Sequence, residues 1–374
     1  MNFQEHLTHR RSTMKIAVYA IAKNEEQFVE AWYNSAKKAD YLLIADTGST
    51  DNTIKKAKKL GINVVSITIS PWRFDDARNA SMAFLPKDID YCIALDMDEV
   101  LVEGWREELE KVDHAVITRP RYKYTWNWNE DGSPGLQYNG DKIHSRHGYR
   151  WRYPVHEVMI GDRINEVQGW CALEIHHHAD SSKPRSQYLP LLQQSVIEDP
   201  YSDRNAFYYG RELYFYGKYE EASKELQRHL SLPTATWTPE RAASMRYIAK
   251  CNPDNTEEWL LKAISECPGR REAIVDLALY YYSKQAWSKC FEYSTMACEI
   301  KEKPLEYLCE AEAWGWMPHD LRAISAFNLG MHKEAYEEGK IACEIEPNDE
   351  RLKNNFKYYE KAYLQAEEQD EISI

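Results

Sequence analysis

Two aspartates one residue apart, Asp96 and Asp98, stand directly behind the apolar run Tyr91-Cys-Ile-Ala-Leu95. Carboxylates that close repel each other unless something positive compensates, and a divalent cation bridging a diphosphate does so with hard oxygen ligands. In an extended chain residues i and i+2 face the same side, so the pair is expected to share one ligand. An Asp-x-Asp is common in solvated loops, but placed at the end of a buried strand it is better than chance. A further carboxylate, Asp46, ends the run Tyr41-Leu-Leu-Ile-Ala45 and leads into Thr47-Gly-Ser-Thr-Asp51. An Asp there can accept hydrogen bonds from a nucleobase or ribose, or simply cap the turn that follows.

The run Glu174-Ile-His176-His177-His178 offers metal ligands. Strand alternation puts His176 and His178 on one face and His177 on the other, so the three cannot converge on one ion and a three-histidine zinc centre is disfavoured. From Arg119 to His156, seven Lys or Arg stand against three Asp or Glu, with eight Tyr or Trp among them. Trp126, Trp128, Arg150, Trp151 and Arg152 could stack on sugars or bases and meet phosphates, or could be a meander with rings beneath and charges outside.

These residues are carried by two dissimilar halves. Up to about residue 180, short β-branched runs alternate with helical stretches: Ile16 to Ile21, Tyr41 to Ala45, Val64 to Thr68, Tyr91 to Leu95 and His114 to Thr118. That order predicts an α/β domain with a mostly parallel sheet covered on both faces, whose ligands bind outside the carboxyl ends of the strands. From residue 181 to 374 the strands vanish into helical spacing. Pro233, Pro268, Pro304 and Pro347 lie 35, 36 and 43 residues apart. Gly217-Lys-Tyr-Glu-Glu-Ala222 and Gly330-Met-His-Lys-Glu-Ala335 match in register, with Trp287-Ser-Lys-Cys290 and Trp259 to Ala263 as degenerate copies. A period near 34 with Pro after the second helix is the mark of an all-α, tetratricopeptide-like repeat array.

The 374 residues exceed what one hydrophobic core usually serves. The net charge of -13 makes general nucleic-acid binding a poor reading. No run of about 18 apolar residues is present, so neither a signal peptide nor a membrane span is expected. The eight cysteines form no Cys-x-x-Cys pair and suit reduced thiols in a cytoplasmic protein. Residues 1–13 read as a disordered extension before Met14.

Four elements in order are similar to those of family 2 glycosyltransferases of the GT-A fold: Ala22-Lys23-Asn24-Glu25, Asp46 to Asp51, Trp72-Arg-Phe-Asp75-Asp76-Ala-Arg78-Asn79, and Leu95-Asp-Met-Asp-Glu99. The resemblance implies that Ala22, Asn24, Glu25 and Asp46 hold the nucleotide and that Arg78, Asn79 and Asp96 lie near the donor. It implies that Asp98, with Asp96, positions Mn²⁺ or Mg²⁺ on the diphosphate, a histidine of the run, His176 or His178, completing the site. Val155-His156-Glu157 matches an element of the subfamily, implying Glu157 or His156 as general base. Trp126, Trp128, Arg150, Trp151 and Arg152 fall in the family's acceptor region. Glu130-Asp131 is a candidate for the acidic motif of processive relatives, in a setting that suits a solvated turn.

The expected activity is inverting transfer of a sugar from a nucleotide donor, a UDP-sugar by expectation, to a hydroxyl or thiol. The pairing with repeats resembles both peptide glycosyltransferases and phage-type enzymes, leaving peptide, glycan and hydroxymethylated DNA as acceptors. The repeats could serve as a peptide groove or a homodimer interface. Two alternatives stand beside this. One is a nucleotidyltransferase, disfavoured because no glycine-rich loop follows the first strand. The other is a repeat scaffold with a vestigial nucleotide-binding domain.

Overall fold

A computed structural model describes residues 14–180 and 188–372. The expected extension at residues 1–13 lies outside them. The chain divides into two compact units, Met1–Arg185 and Ser186–Ile374.

In the first unit, β1 (Ile16–Ala22), β2 (Tyr41–Asp46), β3 (Asn63–Ser66) and β4 (Tyr91–Ala94) form a parallel sheet in the order β3-β2-β1-β4. The helices are α1 (Val29–Ala36), α2 (Thr53–Lys59), α3 (Phe74–Ala83) and α4 (Trp105–Leu109). The remaining strands are β5 (Glu99–Leu101), β6 (Arg119–Thr125), β7 (Gln137–Gly140), β8 (Ile143–Ser145), β9 (Tyr149–Arg152), β10 (Val158–Gly161) and β11 (Gln168–His177). β8 joins the first sheet antiparallel beside β4. A second, mixed sheet runs β5-β11-β6-β7, and β9 pairs with β10 as a separate hairpin.

The near-continuous apolar run of β1 is what a strand covered on both faces requires. Ile16, Val18 and Ala20 pack with Val29 and Trp32 of α1, Ala57 of α2 and Trp105 of α4, while Ala17 and Tyr19 pack with Met82 of α3 and Trp151 of β9. The sheet is therefore parallel through its first four strands and mixed beyond them. The strand expected over His114 to Thr118 is instead a turn. Its β-branched residues are overruled by Asp113, whose carboxylate accepts from the Ala115 amide (3.1 Å) and whose carbonyl accepts from the Ile117 amide (2.8 Å).

Helices α5 (Tyr188–Glu198), α6 (Asp203–Phe215), α7 (Tyr219–Ser231), α8 (Thr238–Cys251), α9 (Thr256–Glu266), α10 (Arg271–Ser283), α11 (Trp287–Glu299), α12 (Ala311–Trp314), α13 (Met317–Asn328), α14 (His332–Ile345) and α15 (Glu350–Ile372) make up the second unit. Four hairpins pair α6 with α7, α8 with α9, α10 with α11 and α13 with α14. Gly217 (φ 72°) and Gly330 (φ 76°) close α6 and α13 in the left-handed conformation that glycine adopts without strain. Five residues later Ala222 and Ala335 are fully buried. In the α10–α11 copy Gln285 (φ 54°) takes the glycine position and buried Cys290 the alanine position. The α8–α9 copy differs, its connection being a 3₁₀ turn over Pro253–Asn255.

Candidate active site

The carboxyl ends of β1 and β2 are joined by a zipper of side-chain and backbone hydrogen bonds. The Asn24 amide donates to Ser49 Oγ (2.8 Å), Asn24 Oδ1 accepts from the Thr50 amide (2.7 Å), and the Glu25 amide donates to Thr53 Oγ1 (2.8 Å). Asn24 takes φ 57°, a conformation Asn tolerates better than most residues, to make both of its bonds. Asp46, buried at the foot of the zipper, accepts from the amides of Gly48 (3.0 Å) and Ser49 (3.1 Å). It therefore caps the turn, whatever else it binds. Ala22 lies opposite Asp46 in the sheet register.

Asp96 and Asp98 follow β4, on the other side of β1. They do not continue an extended strand. The Glu99 amide bonds the Asp96 carbonyl (2.9 Å) and the Asp96 amide bonds Glu99 Oε2 (2.9 Å), so Asp96 to Glu99 is a turn and strand alternation does not govern it. The two carboxylates accordingly have different neighbours. Asp96 is ion-paired on one oxygen with Arg78 (2.8 Å) and on the other with Lys142 (2.6 Å). Burial alone would raise its pKa, but these two cations hold it far below the usual carboxylate range. Both Asp96 oxygens are thus engaged by cations of the protein.

Lys142 also reaches Glu99 (2.7 Å), which is 1% exposed and accepts from the Tyr124 hydroxyl (2.6 Å). Arg78 Nε donates to Glu157 (2.6 Å), and its guanidinium lies 4.9 Å from the centre of the Trp151 ring. Glu99, Lys142, Asp96, Arg78 and Glu157 thus form one chain of alternating charge from β5 to the loop after β9. Arg78 is 5% exposed, so its ion pairs are buried although it stands on a helix. The loop carrying His156 and Glu157 holds two non-glycine residues at positive φ, Tyr153 (82°) and His156 (49°), of the kind that cluster at functional sites.

Asp98 stands apart from that chain. Its Oδ2 lies 3.5 Å from Nε2 of His177, and its carbonyl accepts from the His178 amide (2.7 Å). His177 Nδ1 bonds the Trp126 carbonyl (2.8 Å), and its ring stacks on the Trp126 indole with centroids 4.4 Å apart. The alternation along β11 is as expected, but the face turned to Asp98 is that of His177. His176 instead bonds Glu174 (3.3 Å), and His178 stacks on Trp128. The Trp128 indole donates to the His177 carbonyl (3.1 Å), so Trp126 and Trp128 flank the histidine run.

Other expected residues either support this cluster from behind or lie elsewhere. Asn79 makes a two-way bond with the Trp151 backbone, Nδ2 to the carbonyl (2.9 Å) and Oδ1 from the amide (2.8 Å), and so pins β9 to α3. Trp151 is 4% exposed, its indole donating to the Tyr19 hydroxyl (2.9 Å), which meets His144 Nε2 (3.1 Å). Burial pushes His144 down to about 4, consistent with a neutral ring accepting that hydroxyl proton. Alternation along β9 turns Arg150 and Arg152 to solvent, Arg150 near Asp162 (3.6 Å) and Arg152 over the Tyr153 ring. In the Glu130-Asp131 segment, Asp131 accepts from the Ser133 amide and hydroxyl in a turn. The cluster contains one cation that sequence reasoning missed, Lys142. It reaches Asp96 because β8 pairs with β4, and no local pattern around it signals that pairing.

No family model matches the chain. Curated proteins similar to it include uncharacterized glycosyltransferases of Rickettsia bellii, 33% identical over 111 residues, and of Rickettsia conorii, 34% identical over 111 residues. Each match covers 29% of this chain and 36% or 38% of the relative, so the chain spans little more than a third of the curated relatives it matches. Among solved structures, MamA aligns over 42% of this chain and 86% of its own (TM-score 0.35, 18% identity), and yeast Tom70 over 51% and 38% (TM-score 0.37, 18% identity). At those scores the description of the second unit rests on its own hairpins. All eight cysteines are free, and among the described residues no helix is long and apolar enough to cross a membrane.

Proposed function

We propose that the first unit is a GT-A-type glycosyltransferase that takes a nucleotide sugar, a UDP-sugar by preference, with a divalent cation held by Asp98 and His177. The observation that carries this is the Asp98–His177 pair at the carboxyl edge of the sheet. His177 Nδ1 is engaged by a backbone carbonyl, which turns Nε2 to Asp98, the orientation a ligating histidine takes from its outer hydrogen bond, and a cation would take the place of the proton that Asp98 favours there. Two ligand atoms on one small cation, at about 2.0 to 2.2 Å each, stand roughly 3 Å apart, so little movement is needed. A bound cation would supply positive charge to the diphosphate leaving group. The names of the Rickettsia relatives support the same reaction class.

The chain's own residues have separable roles in this reading. The zipped loops after β1 and β2 present backbone and side-chain groups of Ala22, Asn24, Glu25 and Asp46 to the nucleotide. Arg78 and Lys142 fix Asp96 and thereby the turn that aims Asp98. Glu157, oriented by Arg78, accepts the proton of the attacking hydroxyl or thiol. The acceptor is a peptide, a glycan or a hydroxymethylated DNA base, approaching along Trp126 and Trp128.

The test is UDP release by the purified chain from a panel of UDP-sugars with Mn²⁺, against each acceptor class, paired with thermal shift by UDP and Mn²⁺. Asp98→Asn is expected to lose at least about a hundredfold in release and to abolish the Mn²⁺-dependent shift. Glu157→Gln should lose release and keep the shift. A fully active Asp98→Asn would sink the assignment. Pyrophosphate as product would make the protein a nucleotidyltransferase, and no shift with any nucleotide would leave the scaffold reading.

A further inference from the structure

The repeat array contains an insertion that turns back onto its own hairpins. Six residues (232–237) join the first hairpin to the second and four (267–270) the second to the third, but seventeen (300–316) separate α11 from α13. The segment Lys301 to Glu310 has no helix or strand and lies across α6, α8 and α10, the first helices of three successive hairpins, which pack side by side.

Its side chains are seated. The Tyr307 ring stacks on Tyr208 of α6 (6.2 Å, 14°) and lies against Trp237 (5.6 Å), while its hydroxyl donates to Glu240 of α8 (2.7 Å). Glu306 ion-pairs with Arg270 at the start of α10. Glu310 receives both terminal nitrogens of Arg246 (2.8 Å each), the fork geometry that distinguishes arginine in carboxylate recognition. Leu308 borders a small cavity walled by Pro239, Ala242, Ala243 and Ala273.

The two arginines that the segment engages also have partners beneath it. Arg246 also pairs with Asp276 (2.6 Å) and Arg270 with Glu272 (3.1 Å). Undocking therefore strands neither guanidinium, and the penalty for a buried, unpaired charge does not arise. Each arginine keeps one partner of its own and presents a second set of donors to whatever lies in the groove.

We propose that the strap Glu306 to Glu310 is a ligand held in cis, and that its groove takes in trans an extended peptide segment of another protein. The segment it takes carries a carboxylate, an aromatic ring and a second carboxylate in the spacing of Glu306, Tyr307 and Glu310. The strap excludes that segment until it is exchanged. This interaction surface is independent of the transferase reading of the first unit.

The probe is a fluorescent peptide of the strap's own sequence, residues 303–311, followed by anisotropy on the full chain. Glu306→Gln/Tyr307→Ala/Glu310→Gln releases the strap and is expected to bind the peptide at least about tenfold more tightly than wild type, because the competitor in cis is gone. Arg246→Gln added to that variant should abolish binding, as should changing both glutamates of the peptide to glutamine. Equal affinity for wild type and released variant, or binding that survives Arg246→Gln, overturns the proposal. Should the triple variant lose helix by circular dichroism, Tyr307→Ala alone carries the test: a smaller gain over wild type is expected, and no gain overturns it.

Discussion

Replacing Lys142 with Met removes the ammonium that lies between Asp96 and Glu99 and leaves two carboxylates short of a partner. Breaking a buried charge pair from one side generally costs about 3 to 5 kcal/mol, since the remaining charge stays buried and uncompensated. Here Glu99 keeps the Tyr124 hydroxyl and the Asp96 amide, and Asp96 keeps Arg78, so the low end, about 3 kcal/mol, is expected. For a unit of this size each kcal/mol lowers the melting temperature by about 2 to 4 °C, a fall of roughly 6 to 12 °C. Urea unfolding of the full chain, followed by tryptophan fluorescence, measures the free energy, and a thermal scan measures the shift. The double variant with Glu99→Gln isolates the pair, because the substitution should cost about 2 kcal/mol less where Glu99 has lost its charge. A loss below about 1 kcal/mol, or the same loss in both backgrounds, would refute the claim that these residues form one coupled chain.

Other perturbations follow from local geometry. Burial works against the charge on His319, but the Cys298 thiol and the Glu338 carboxylate (2.6 Å) hold its pKa up at about 9, above the ordinary value. Because the folded value is the higher one, its contribution, at most about 3 kcal/mol, is whole below about pH 6.5 and lost as pH rises through about 9. Urea midpoints of the second unit should fall across that window in wild type and flatten in Glu338→Gln. Gln285→Gly should stabilise by up to about 1 kcal/mol, read as a raised melting temperature, since Gln285 occupies at φ 54° the position that glycine fills in two other hairpins. Asn79→Ala should cost about 2 kcal/mol by denaturation, from the two backbone groups of Trp151 left unpaired, while the shift with UDP and Mn²⁺ persists.

The strands of the parallel sheet were legible because their apolar runs are unbroken, as burial on both faces demands. His114 to Thr118 misled for the complementary reason: β-branched composition is a weak vote beside one aspartate that bonds the backbone ahead of it. Within the site, the turn that Asp46 caps was readable, because its bonds reach only two and three residues ahead. What depends on strand pairing was not. Lys142 is brought to Asp96 by the β4–β8 pairing, and Trp151 is turned inward by the hairpin's seat on α3, neither of which any local pattern announces. For the histidine run, period two told which residues share a face, but only the second sheet's register decides which face meets Asp98.

That register matters because it gives the two aspartates different neighbours, two cations for Asp96 and His177 for Asp98. Around the turn stand four carboxylates, Glu99, Asp96, Glu157 and Asp98, against two fixed cations, Lys142 and Arg78. These six groups carry a formal charge of -2, and although burial works against the charge on His177, Asp98 and the Trp126 carbonyl hold its pKa above the ordinary value, as an excess of negative charge should. Were Asp96 released from Arg78 and Lys142 to serve as a second ligand, Glu99 and Glu157 would still hold the cations, but the turn would lose the contacts that set its shape. The arrangement keeps Asp96 within the scaffold and leaves Asp98 outside that chain of charge, beside the His177 ring that stacks on Trp126. Because the same chain of charge ends on Glu157, a change at Lys142 should be felt two ion pairs away, at the loop held by Tyr153 and His156, as well as at the turn it directly supports.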